Sequence, residues 1–458
     1  MPVKFDAIII GSGQSGPALA ERFSKAGQKV AIIERKYFGG TCVNVGCVPT
    51  KTYVASAYVA HMARRAGAYG VDLGQRVQVD MMQVKARKDG IVAKSRNGVA
   101  KWLETLKNGT VYRGHARFVG LKTLSVNDQT LTAEKIIINT GARATIPILP
   151  GLDTVPYLTN STLLDIDFIP KHLIIIGGSY IGLEFAQAFR RFGSRVTVVE
   201  MSDRLISRED SDISDAIREI LEMEGVEIHL NAKCLSVERS DEGVSVKLDC
   251  EGVSQVDGTH LLLAVGRTPN TDDLGLDNAG IIADARGFIT VDDQCRTNVD
   301  GIWAMGDVNG RGAFTHTSYN DYEIVAANMF DNDPRRISDR IPCYGLFIDP
   351  PLGRAGMTEK EVKAKGIKAL VAKRLMSSIG RARERGETLG FMKVVVDAQT
   401  KKILGAAILG INGDEVVHTF LDVMSAGAPY TAISRTMHIH PTVAEYLPTL
   451  LEDLKPLT

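Results

Sequence analysis

The sequence of 458 residues carries no net charge, because its 54 lysines and arginines balance its 54 aspartates and glutamates. Such a chain has no long-range attraction to phosphate backbones or anionic membranes, which disfavours a nucleic-acid or membrane-surface binder. It also lacks an apolar run of the roughly 20 residues that span a bilayer, and the apolar run near its N-terminus is too short for a signal peptide. These absences predict a soluble, cytoplasmic protein with neither nucleic acid nor membrane as a partner.

Cysteine is also scarce, with six residues in the chain, which excludes a small disulfide-stabilised scaffold. Hydrophobic residues make up 44% and charged residues 24% of the chain, as in ordinary globular proteins. The length predicts roughly three domains. Glycine, in contrast, is abundant with 44 residues, and the positions of those glycines carry the first functional signal.

The first glycine cluster lies between an apolar segment and a helical pattern. Gly11, Gly13 and Gly16 fill G-x-G-x-x-G in FDAIIIGSGQSG, and a second apolar segment ends at Glu34. In such a strand–helix–strand unit the glycines permit a tight turn and the close approach of a pyrophosphate to the helix start. Glu34 follows at about the spacing, roughly 20 residues, at which a carboxylate accepts hydrogen bonds from a ribose. The segment predicts a dinucleotide site.

The same pattern returns in the middle of the chain. HLIIIGGSYIG places Gly177 and Gly182 around a second turn, and Glu200 ends the apolar segment that follows. Ser179 replaces the middle glycine, and its small side chain still permits a close approach of the backbone. Two such units predict two dinucleotides, which is typical of an electron-transfer protein.

Two cysteines, Cys42 and Cys47, follow the first unit in RKYFGGTCVNVGCVPTK. A zinc site is disfavoured, because it needs about four closely spaced ligands and the sequence offers no second Cys or His pair nearby. Next to a dinucleotide unit, a close cysteine pair favours a redox-active disulfide, with one stabilised thiolate and one thiol that exchanges with substrate. The remaining cysteines are predicted to be structural: Cys234, Cys250, Cys295 and Cys343.

The segment GGTCVNVGCVPTK resembles the active-site signature of the pyridine nucleotide–disulfide oxidoreductases, a family that includes dihydrolipoamide dehydrogenase, glutathione reductase and mercuric reductase. NTGA at 139–142, AMGDV at 304–308 and HIHPTVAE near the C-terminus resemble further signatures of this family in the same order. The resemblance extends over essentially the whole chain. It implies an α/β fold with two Rossmann-like dinucleotide-binding domains, for FAD and NAD(P), and a C-terminal α+β dimerisation domain.

The order of these motifs predicts the domain boundaries. We expect an FAD-binding domain at 1–149, an NAD(P)-binding domain at 150–268, a central segment at 269–337 that completes the FAD domain, and a dimerisation domain at 338–458. The residue patterns predict helices near 82–106, 414–425 and 442–454, and strands near 392–397 and 403–409. Thr358 and Glu361 form a capping box that predicts a helix start.

The resemblance also implies a path for electrons and the residues along it. Hydride would pass from the nicotinamide to the flavin and on to the disulfide, with Cys47 against the flavin and Cys42 as the interchange thiol. Lys51 and Glu184 match the ion pair near the flavin, and Tyr180 matches the aromatic lid over the nicotinamide. The implied FAD contacts are Gly11, Gly13, Gly16, Glu34, Gly40, Thr41, Lys51, Thr140, Gly141, Gly306 and Asp307, and the implied NAD(P) contacts are Gly177, Tyr180, Gly182, Glu200 and Gly266.

His440 matches the catalytic histidine of the family, and Glu445 follows it at a spacing that suits orienting the imidazole. An imidazole with a pKa near neutral can move protons to and from Cys42 when a dithiol or disulfide reacts. In relatives this histidine reaches the active site of the other subunit, so the resemblance implies a homodimer. His61, His115 and His172 are predicted to be ordinary surface or core residues.

The sequence indicates a preferred coenzyme and a class of electron acceptors. Glu200 favours NADH, because a carboxylate accepts from a 2′-hydroxyl and repels a 2′-phosphate, although Arg204 and Arg208 keep NADPH as an alternative. AFTHTSYNDYEIV and FIDPPLGRAGMTE resemble the branch that includes the reactive-chlorine resistance flavoprotein. We therefore expect a small disulfide, an oxidant or a metal ion as acceptor, and no resident metal.

Several alternatives stay open. HIHPT also matches dihydrolipoamide dehydrogenase, which passes electrons from a dithiol to NAD+. A flavin NADH oxidase, a transhydrogenase or a redox sensor without turnover is disfavoured, because those tasks do not need the cysteine pair. A basic cluster, Arg381, Arg383 and Arg385, is predicted to be a solvated loop rather than a substrate anchor.

Overall fold

The computed structural model describes residues 1–74, 76–241 and 243–457. Its first part contains seven strands and four helices. The strands are β1 Val3–Ile10, β2 Val30–Glu34, β3 Gly109–Arg113, β4 Ala116–Gly120, β5 Thr123–Val126, β6 Gln129–Ile138 and β7 Ala142–Ala144. The helices are α1 Ser15–Lys25, α2 Gly40–Val45, α3 Cys47–Arg65 and α4 Met81–Glu104.

The first sheet places the glycine turn at the carboxyl end of a buried parallel strand. Its order is β3-β2-β1-β6-β5-β4, with β1 parallel to both β2 and β6. The last four residues of β1 are all buried, as expected for a strand that is covered on both faces. The chain leaves β1 at Gly11 and enters α1, so the turn opens at the sheet edge where ligands of such sheets bind.

The second part repeats this plan and adds a small antiparallel sheet. Its strands are β8 His172–Ile176, β9 Arg195–Val199, β10 Glu227–His229, β11 Lys233–Ser240, β12 Gly243–Asp249, β13 Gln255–Gly258, β14 His260–Leu263 and β15 Arg267–Pro269. Its helices are α5 Asn160–Leu163, α6 Tyr180–Phe192 and α7 Ser211–Met223. The parallel sheet has the order β10-β9-β8-β14, β11-β12-β13 form the antiparallel one, and β15 pairs with β7.

The chain then returns to the first sheet before it forms the C-terminal part. β16 Ile302–Ala304 runs parallel to β6, and α8 Thr315–Ala326 follows. The C-terminal strands are β17 Cys343–Leu346, β18 Leu352–Gly356, β19 Ala369–Leu375, β20 Phe391–Asp397, β21 Ile403–Leu409 and β22 Lys455–Pro456, in the sheet order β17-β18-β21-β20-β19-β22. The helices are α9 Glu359–Ala364, α10 Gly380–Glu384, α11 Gly413–Ser425, α12 Thr431–Ser434 and α13 Leu447–Glu452.

This architecture confirms the expected α/β fold with two parallel-sheet units and an α+β C-terminal part. The capping box is also present, since the Thr358 side chain accepts from the Glu361 N–H at the start of α9. The three boundaries drawn from the sequence between these four segments stay predictions. No helix in the described ranges combines the length and apolarity needed to cross a membrane.

Two local predictions differ from the structure. The helix expected near 442–454 is shorter at both ends, because a 3-10 turn at Ala444–Tyr446 precedes α13 and α13 ends at Glu452. The prediction that the basic cluster forms a loop is wrong, since Arg381 and Arg383 lie in α10 and Arg385 directly follows this helix. Burial of Ala382 and a hydrogen bond from the Gly380 N–H to the Tyr446 hydroxyl, 3.2 Å, hold this short helix against the C-terminal sheet.

Buried ion pairs hold the second dinucleotide unit against the C-terminal sheet. Arg354, only 2% exposed, donates to Glu209 at 2.8 Å, and Lys393 donates to Asp210 at 2.9 Å. Since removing one partner of a buried pair leaves an uncompensated charge, each pair resists separation of the two parts. The network therefore positions β17 and β18 beside the start of α6.

Candidate active site

Both glycine turns have a backbone that requires glycine. Gly11 has φ +105° and Gly177 has φ +115°, in the region that side chains disfavour. A Cβ atom at Gly11 would clash with the Asn139 carbonyl oxygen, and one at Gly177 would clash with the Ala264 carbonyl oxygen. The two turns are therefore equivalent, each pressed against the neighbouring strand of its own sheet.

The acidic residue at the end of each unit is held by the turn in the same way. Glu34 accepts from the N–H groups of Ser12, 3.1 Å, and Lys36, 2.8 Å. Glu200 accepts from the N–H groups of Gly178, 2.6 Å, and Ser202, 2.8 Å. Each carboxylate is thus oriented at the mouth of its turn, where the ribose of a dinucleotide is bound in folds of this type.

The residues predicted to contact the cofactors lie around these two turns, and their arrangement fits two dinucleotides. Within the described residues, neither Gln14 at the start of α1 nor Ser179 at the start of α6 caps its helix with its side chain, so backbone N–H groups stay available for a pyrophosphate. Asn139 donates to the Gly11 carbonyl oxygen at 3.2 Å. Gly40 lies against Gly13.

Thr140, Gly141, Gly266, Gly306 and Asp307 follow the strands that end beside the turns. Burial raises the pKa of the Asp307 carboxyl, and Arg267, with Nε 3.3 Å away, opposes this shift. A largely buried carboxylate beside the first turn is suited to accept from hydroxyl groups of a flavin cofactor. Thr41 lies in α2, one residue before Cys42.

The two cysteines meet where α2 gives way to α3. Cys42 lies in α2, and Cys47 is the first residue of α3. Both are free, half-buried thiols, and each has the largest effect on the pKa of the other. The Sγ atom of Cys47 lies 3.1 Å from the Oγ1 atom of Thr315. The two thiols therefore influence each other directly, as the partners of a redox-active disulfide would.

The environment shifts the pKa values of the two thiols in opposite directions. The hydrogen bond from Cys42 lowers the pKa of Cys47 to about 6 against the effect of burial, with help from Thr315 and Lys51 and opposition from Glu184. The hydrogen bond to Cys47 and burial raise the pKa of Cys42. At neutral pH the pair therefore holds its proton on Cys42 and its negative charge on Cys47, the division of labour that disulfide exchange needs.

Lys51 and Glu184 form an ion pair one helical turn beyond Cys47. The Lys51 Nζ atom lies 2.8 Å from both carboxylate oxygens of Glu184. Glu184, which is buried, also accepts from the Phe347 N–H at 3.1 Å, and the Lys51 Nζ atom lies 4.4 Å from the Phe347 ring centroid. Contact between α3 and α6 therefore fixes a charge pair that joins the helix of Cys47 to the helix that follows the second glycine turn.

Tyr180 lies at the start of α6 in an aromatic cluster. Its ring meets Phe314 and Tyr344 edge to face, with centroids 5.7 and 5.3 Å away. Tyr344 donates its own hydroxyl to Glu209. Burial raises the pKa of the Tyr180 hydroxyl, and the neighbouring Tyr344 hydroxyl opposes this shift. Tyr180 is thus packed in an aromatic cluster at the start of α6.

His440 lies apart from this cluster, at the surface of the C-terminal part. Its Nδ1 atom is 2.8 Å from a carboxylate oxygen of Glu445, and its side chain is 80% exposed. The neighbouring Met437 and Ile439 are also exposed. Exposed apolar side chains that cluster in this way usually mark a contact surface. The structure thus joins His440 to Glu445 but does not join it to the cysteines of the same chain within the described residues.

The residue that sequence reasoning missed is Thr315. It stands in AFTHTSYNDYEIV, a segment cited above only for its resemblance to one branch of the family, and 268 positions separate it from Cys47. No local periodicity or motif could connect the two. In the described parts of the chain, no group of three or more His, Cys, Asp or Glu side chains is arranged to hold a metal ion.

Two dinucleotide-type turns together with a pair of neighbouring cysteines are typical of the oxidoreductases that act on pyridine nucleotides and disulfides. The chain belongs to the pyridine nucleotide-disulphide oxidoreductase family. The model of this family matches residues 5–321, and the model of its dimerisation domain matches residues 343–451. Membership implies FAD and a nicotinamide coenzyme as cofactors and indicates a dimer, and it confirms the family resemblance seen in the sequence.

The relatives belong to the groups that the sequence resembles. Probable pyridine nucleotide-disulfide oxidoreductase RclA of Escherichia coli is 38% identical over 461 residues, which cover 99% of this chain and 100% of the relative. Dihydrolipoyl dehydrogenase of Bacillus subtilis is 35% identical, with 97% and 95% covered. Mercuric reductase of Staphylococcus aureus is 32% identical, with 95% and 81% covered.

A solved structure matches the fold over nearly the full length. The Cu(II) complex of the HOCl-induced flavoprotein disulfide reductase RclA from Escherichia coli has a TM-score of 0.89 and 37% identity, and the match covers 98% of this chain and 99% of that one. The protein is therefore a member of the flavoprotein disulfide reductases and is similar to RclA.

Proposed function

We propose that this protein is an NAD(P)H-dependent flavoprotein disulfide reductase that passes electrons through FAD to Cys42 and Cys47 and on to a small disulfide, an oxidant or a metal ion. The observation that carries the proposal is the pairing of two unequal thiols at the start of α3, between the two glycine turns. A protein that only bound dinucleotides would need neither the thiol contact nor the lowered pKa of Cys47.

FAD, when bound, supplies the two-electron chemistry that joins a nicotinamide to a disulfide. The residues that would hold it are Gly11, Gly13, Gly16, Glu34, Gly40, Thr41, Lys51, Thr140, Gly141, Gly306 and Asp307. The residues that would hold the nicotinamide coenzyme are Gly177, Tyr180, Gly182, Glu200 and Gly266. Lys51, held by its ion pair with Glu184, would add a fixed positive charge beside the flavin.

The two thiols divide the work between them. Cys47 keeps its negative charge inside the site, because its pKa is lowered to about 6. Cys42 carries the proton and reacts with the acceptor once that proton is removed. Since the thiolate is the nucleophile and the metal ligand, Cys42 must lose its proton during each turnover.

His440 is proposed to accept that proton and to return it, within a homodimer. Glu445 orients the imidazole through Nδ1, which leaves Nε2 free to exchange a proton with a thiol. The 80% exposure of His440 and the exposed apolar residues beside it are consistent with burial against a second copy of this chain. Each thiol pair would then use the histidine of the other copy.

The acceptor class rests on the chemistry of the pair and on the similarity to RclA. Thiolates react with oxidants and bind soft metal ions such as Cu(I). Assays with NADH and separate acceptors, namely hypothiocyanous acid, Cu(II), Hg(II), oxidised glutathione and lipoamide, test the proposal. We expect turnover with at least one of the oxidant or metal acceptors; NADH consumption without any acceptor-dependent rate would contradict it.

Dihydrolipoamide dehydrogenase is the second candidate, favoured by the HIHPT segment and by the 35% identity to the Bacillus subtilis enzyme. Such an enzyme should reduce NAD+ rapidly with dihydrolipoamide, faster than it reduces any oxidant or metal ion with NADH. This reverse assay therefore separates the two candidates, and a dominant dihydrolipoamide rate would replace the first with the second.

NADH is the proposed coenzyme. The Glu200 carboxylate is fixed at the mouth of the second turn, and the nearby Arg204 is engaged by Asp203 at 2.7 Å. Arg204 is therefore occupied by an acid rather than available to a 2′-phosphate.

The Glu200→Gln variant tests this coenzyme preference. Removing the negative charge should weaken a charged hydrogen bond to the 2′-hydroxyl and relieve repulsion of a 2′-phosphate, so the NADH to NADPH ratio of kcat/KM should fall by about 10-fold or more. Steady-state assays with both coenzymes measure the ratio. Glu222→Gln, on an exposed residue of α7, is the matched control, and an unchanged ratio in Glu200→Gln would contradict the role of this carboxylate.

A further inference from the structure

Two helices have their first residues beside the Cys47 sulfur atom. Cys47 is the first residue of α3, which has 19 residues, and Thr315 is the first residue of α8, which has 12. The Thr315 Oγ1 atom and the Cys47 Sγ atom lie 3.1 Å apart. The partial positive ends of both helices therefore point toward this sulfur, which favours a negative charge there.

The hydroxyl of Thr315 can either donate to a sulfur or accept from it. A thiolate has no proton, so the Thr315 hydroxyl must donate whenever Cys47 is ionised. Lys51 also favours this charge, but both carboxylate oxygens of Glu184 engage its ammonium group at 2.8 Å. Among the described residues, Thr315 is the side chain outside the cysteine loop that hydrogen-bonds the Cys47 sulfur.

The neighbours of Thr315 hold its hydroxyl in this place. Phe314 stacks on Tyr344 with ring centroids 5.6 Å apart and planes 8° apart. The His316 Nε2 atom lies 2.7 Å from the Cys343 carbonyl oxygen. Since Cys343 and Tyr344 are both in β17, the residues on each side of Thr315 are attached to one strand of the C-terminal sheet. The position of Thr315 is thus set by that sheet and does not depend on the cysteine loop.

We propose that Thr315 is a positioning residue that donates its hydroxyl hydrogen bond to the Cys47 thiolate and stabilises the negative charge on Cys47 after the disulfide is reduced. The inference rests on the proposed function, because the proposed reaction uses a thiolate at Cys47. Without this donor the first ionisation of the reduced pair should require a higher pH.

The test is a pH titration of the two-electron-reduced flavoprotein, followed by the long-wavelength absorption that a thiolate gives beside an oxidised flavin. In the native protein this absorption should be present above pH 6 and disappear as Cys47 is protonated below it. In Thr315→Val, which keeps the shape and removes the hydroxyl, the midpoint should rise by roughly one to two pH units, the scale of a hydrogen bond to a charged group. Thr315→Ser should restore the native midpoint.

Thr52→Val is the matched control, because Thr52 lies in α3 with Cys47 but donates its hydroxyl to the Val48 carbonyl oxygen, 2.8 Å away. Its midpoint should be native. Thr315→Ala serves as a second hydroxyl-free variant if Thr315→Val does not fold. A native midpoint in the folded hydroxyl-free variant would overturn the inference while leaving the proposed function intact. Absence of the absorption in the native protein at every pH would overturn both.

Discussion

Cys47→Ser should abolish NADH-driven reduction of every acceptor, while the protein still binds flavin and NADH. The substitution removes the sulfur that carries negative charge beside the flavin site and also prevents the disulfide, so the path from flavin to acceptor is cut. Because loss of a reacting nucleophile is among the largest effects a single substitution has, turnover should fall by about 10³-fold or more. Steady-state assays with the preferred acceptor measure it.

Cys42→Ser should lose turnover equally but differ in its spectrum. Cys47 is retained and cannot form a disulfide, so its thiolate should give the long-wavelength absorption even before NADH is added. Because the hydrogen bond from Cys42 is the largest cause of the lowered Cys47 pKa, the serine hydroxyl should replace it only in part. The absorption should therefore appear at a higher pH than in the reduced native protein.

Cys234→Ser is the control for both variants. Cys234 lies in β11 of the second unit, and burial raises the pKa of its thiol to about 11, so it should stay protonated and unreactive near neutral pH. Turnover of this variant should be native. Substantial acceptor-dependent turnover in either Cys42→Ser or Cys47→Ser would show that electrons leave from the flavin itself, as in a flavin NADH oxidase or a transhydrogenase.

The second large effect is expected at His440. His440→Gln should lower turnover of disulfide acceptors by about 10²- to 10⁴-fold, the contribution typical of general acid–base catalysis. Reduction of the flavin by NADH should be native, because that step does not involve the proton on Cys42. Stopped-flow measurement of flavin reduction together with steady-state turnover separates the two halves of the reaction.

His438→Gln provides the matched control for His440→Gln. His438 is half-buried, and its Nδ1 atom lies 2.9 Å from the Thr436 carbonyl oxygen, so its Nδ1 atom is paired with a carbonyl rather than with a carboxylate such as the one that orients His440. Its turnover should be native. Equal losses in both variants, or native turnover in His440→Gln, would remove His440 from the proposed mechanism.

Mixing the His440→Gln and Cys42→Ser proteins tests the homodimer directly. If each thiol pair uses the histidine of the other copy, a mixed dimer contains one site with both groups intact. Reassociation of the two inactive proteins should therefore recover a fraction of native turnover. No recovery, with mixed dimers demonstrated by mass, would place the histidine and thiol pair of one site on the same chain.

Local motifs made the dinucleotide turns and the cysteine pair predictable from the sequence. Gly11 and Gly177 stand where only glycine fits the backbone, and the spacing to Glu34 and Glu200 reflects the length of one strand–helix–strand unit. For Lys51 and Glu184 the family resemblance was needed, because their contact depends on how α3 packs against α6. These residues are far apart in the sequence and share no pattern that reports on the packing.

The environment of Cys47 could not be predicted, because it is assembled from distant strands and helices. Thr315 reaches the sulfur only because Phe314 and His316 are attached to β17. The three arginines of the basic cluster favour a solvated loop in the sequence, whereas burial of Ala382 in the C-terminal core accompanies a short helix. Such errors arise where tertiary contacts override local preference.

Anaerobic titration of the purified flavoprotein with NADH tests the central claim, that electrons pass from the nicotinamide through the flavin to Cys42 and Cys47. At neutral pH the first equivalent of NADH should produce the long-wavelength absorption of a Cys47 thiolate beside oxidised flavin, and the flavin should bleach only with further reductant. Direct bleaching of the flavin by the first equivalent, with the same course in Cys47→Ser, would contradict the account.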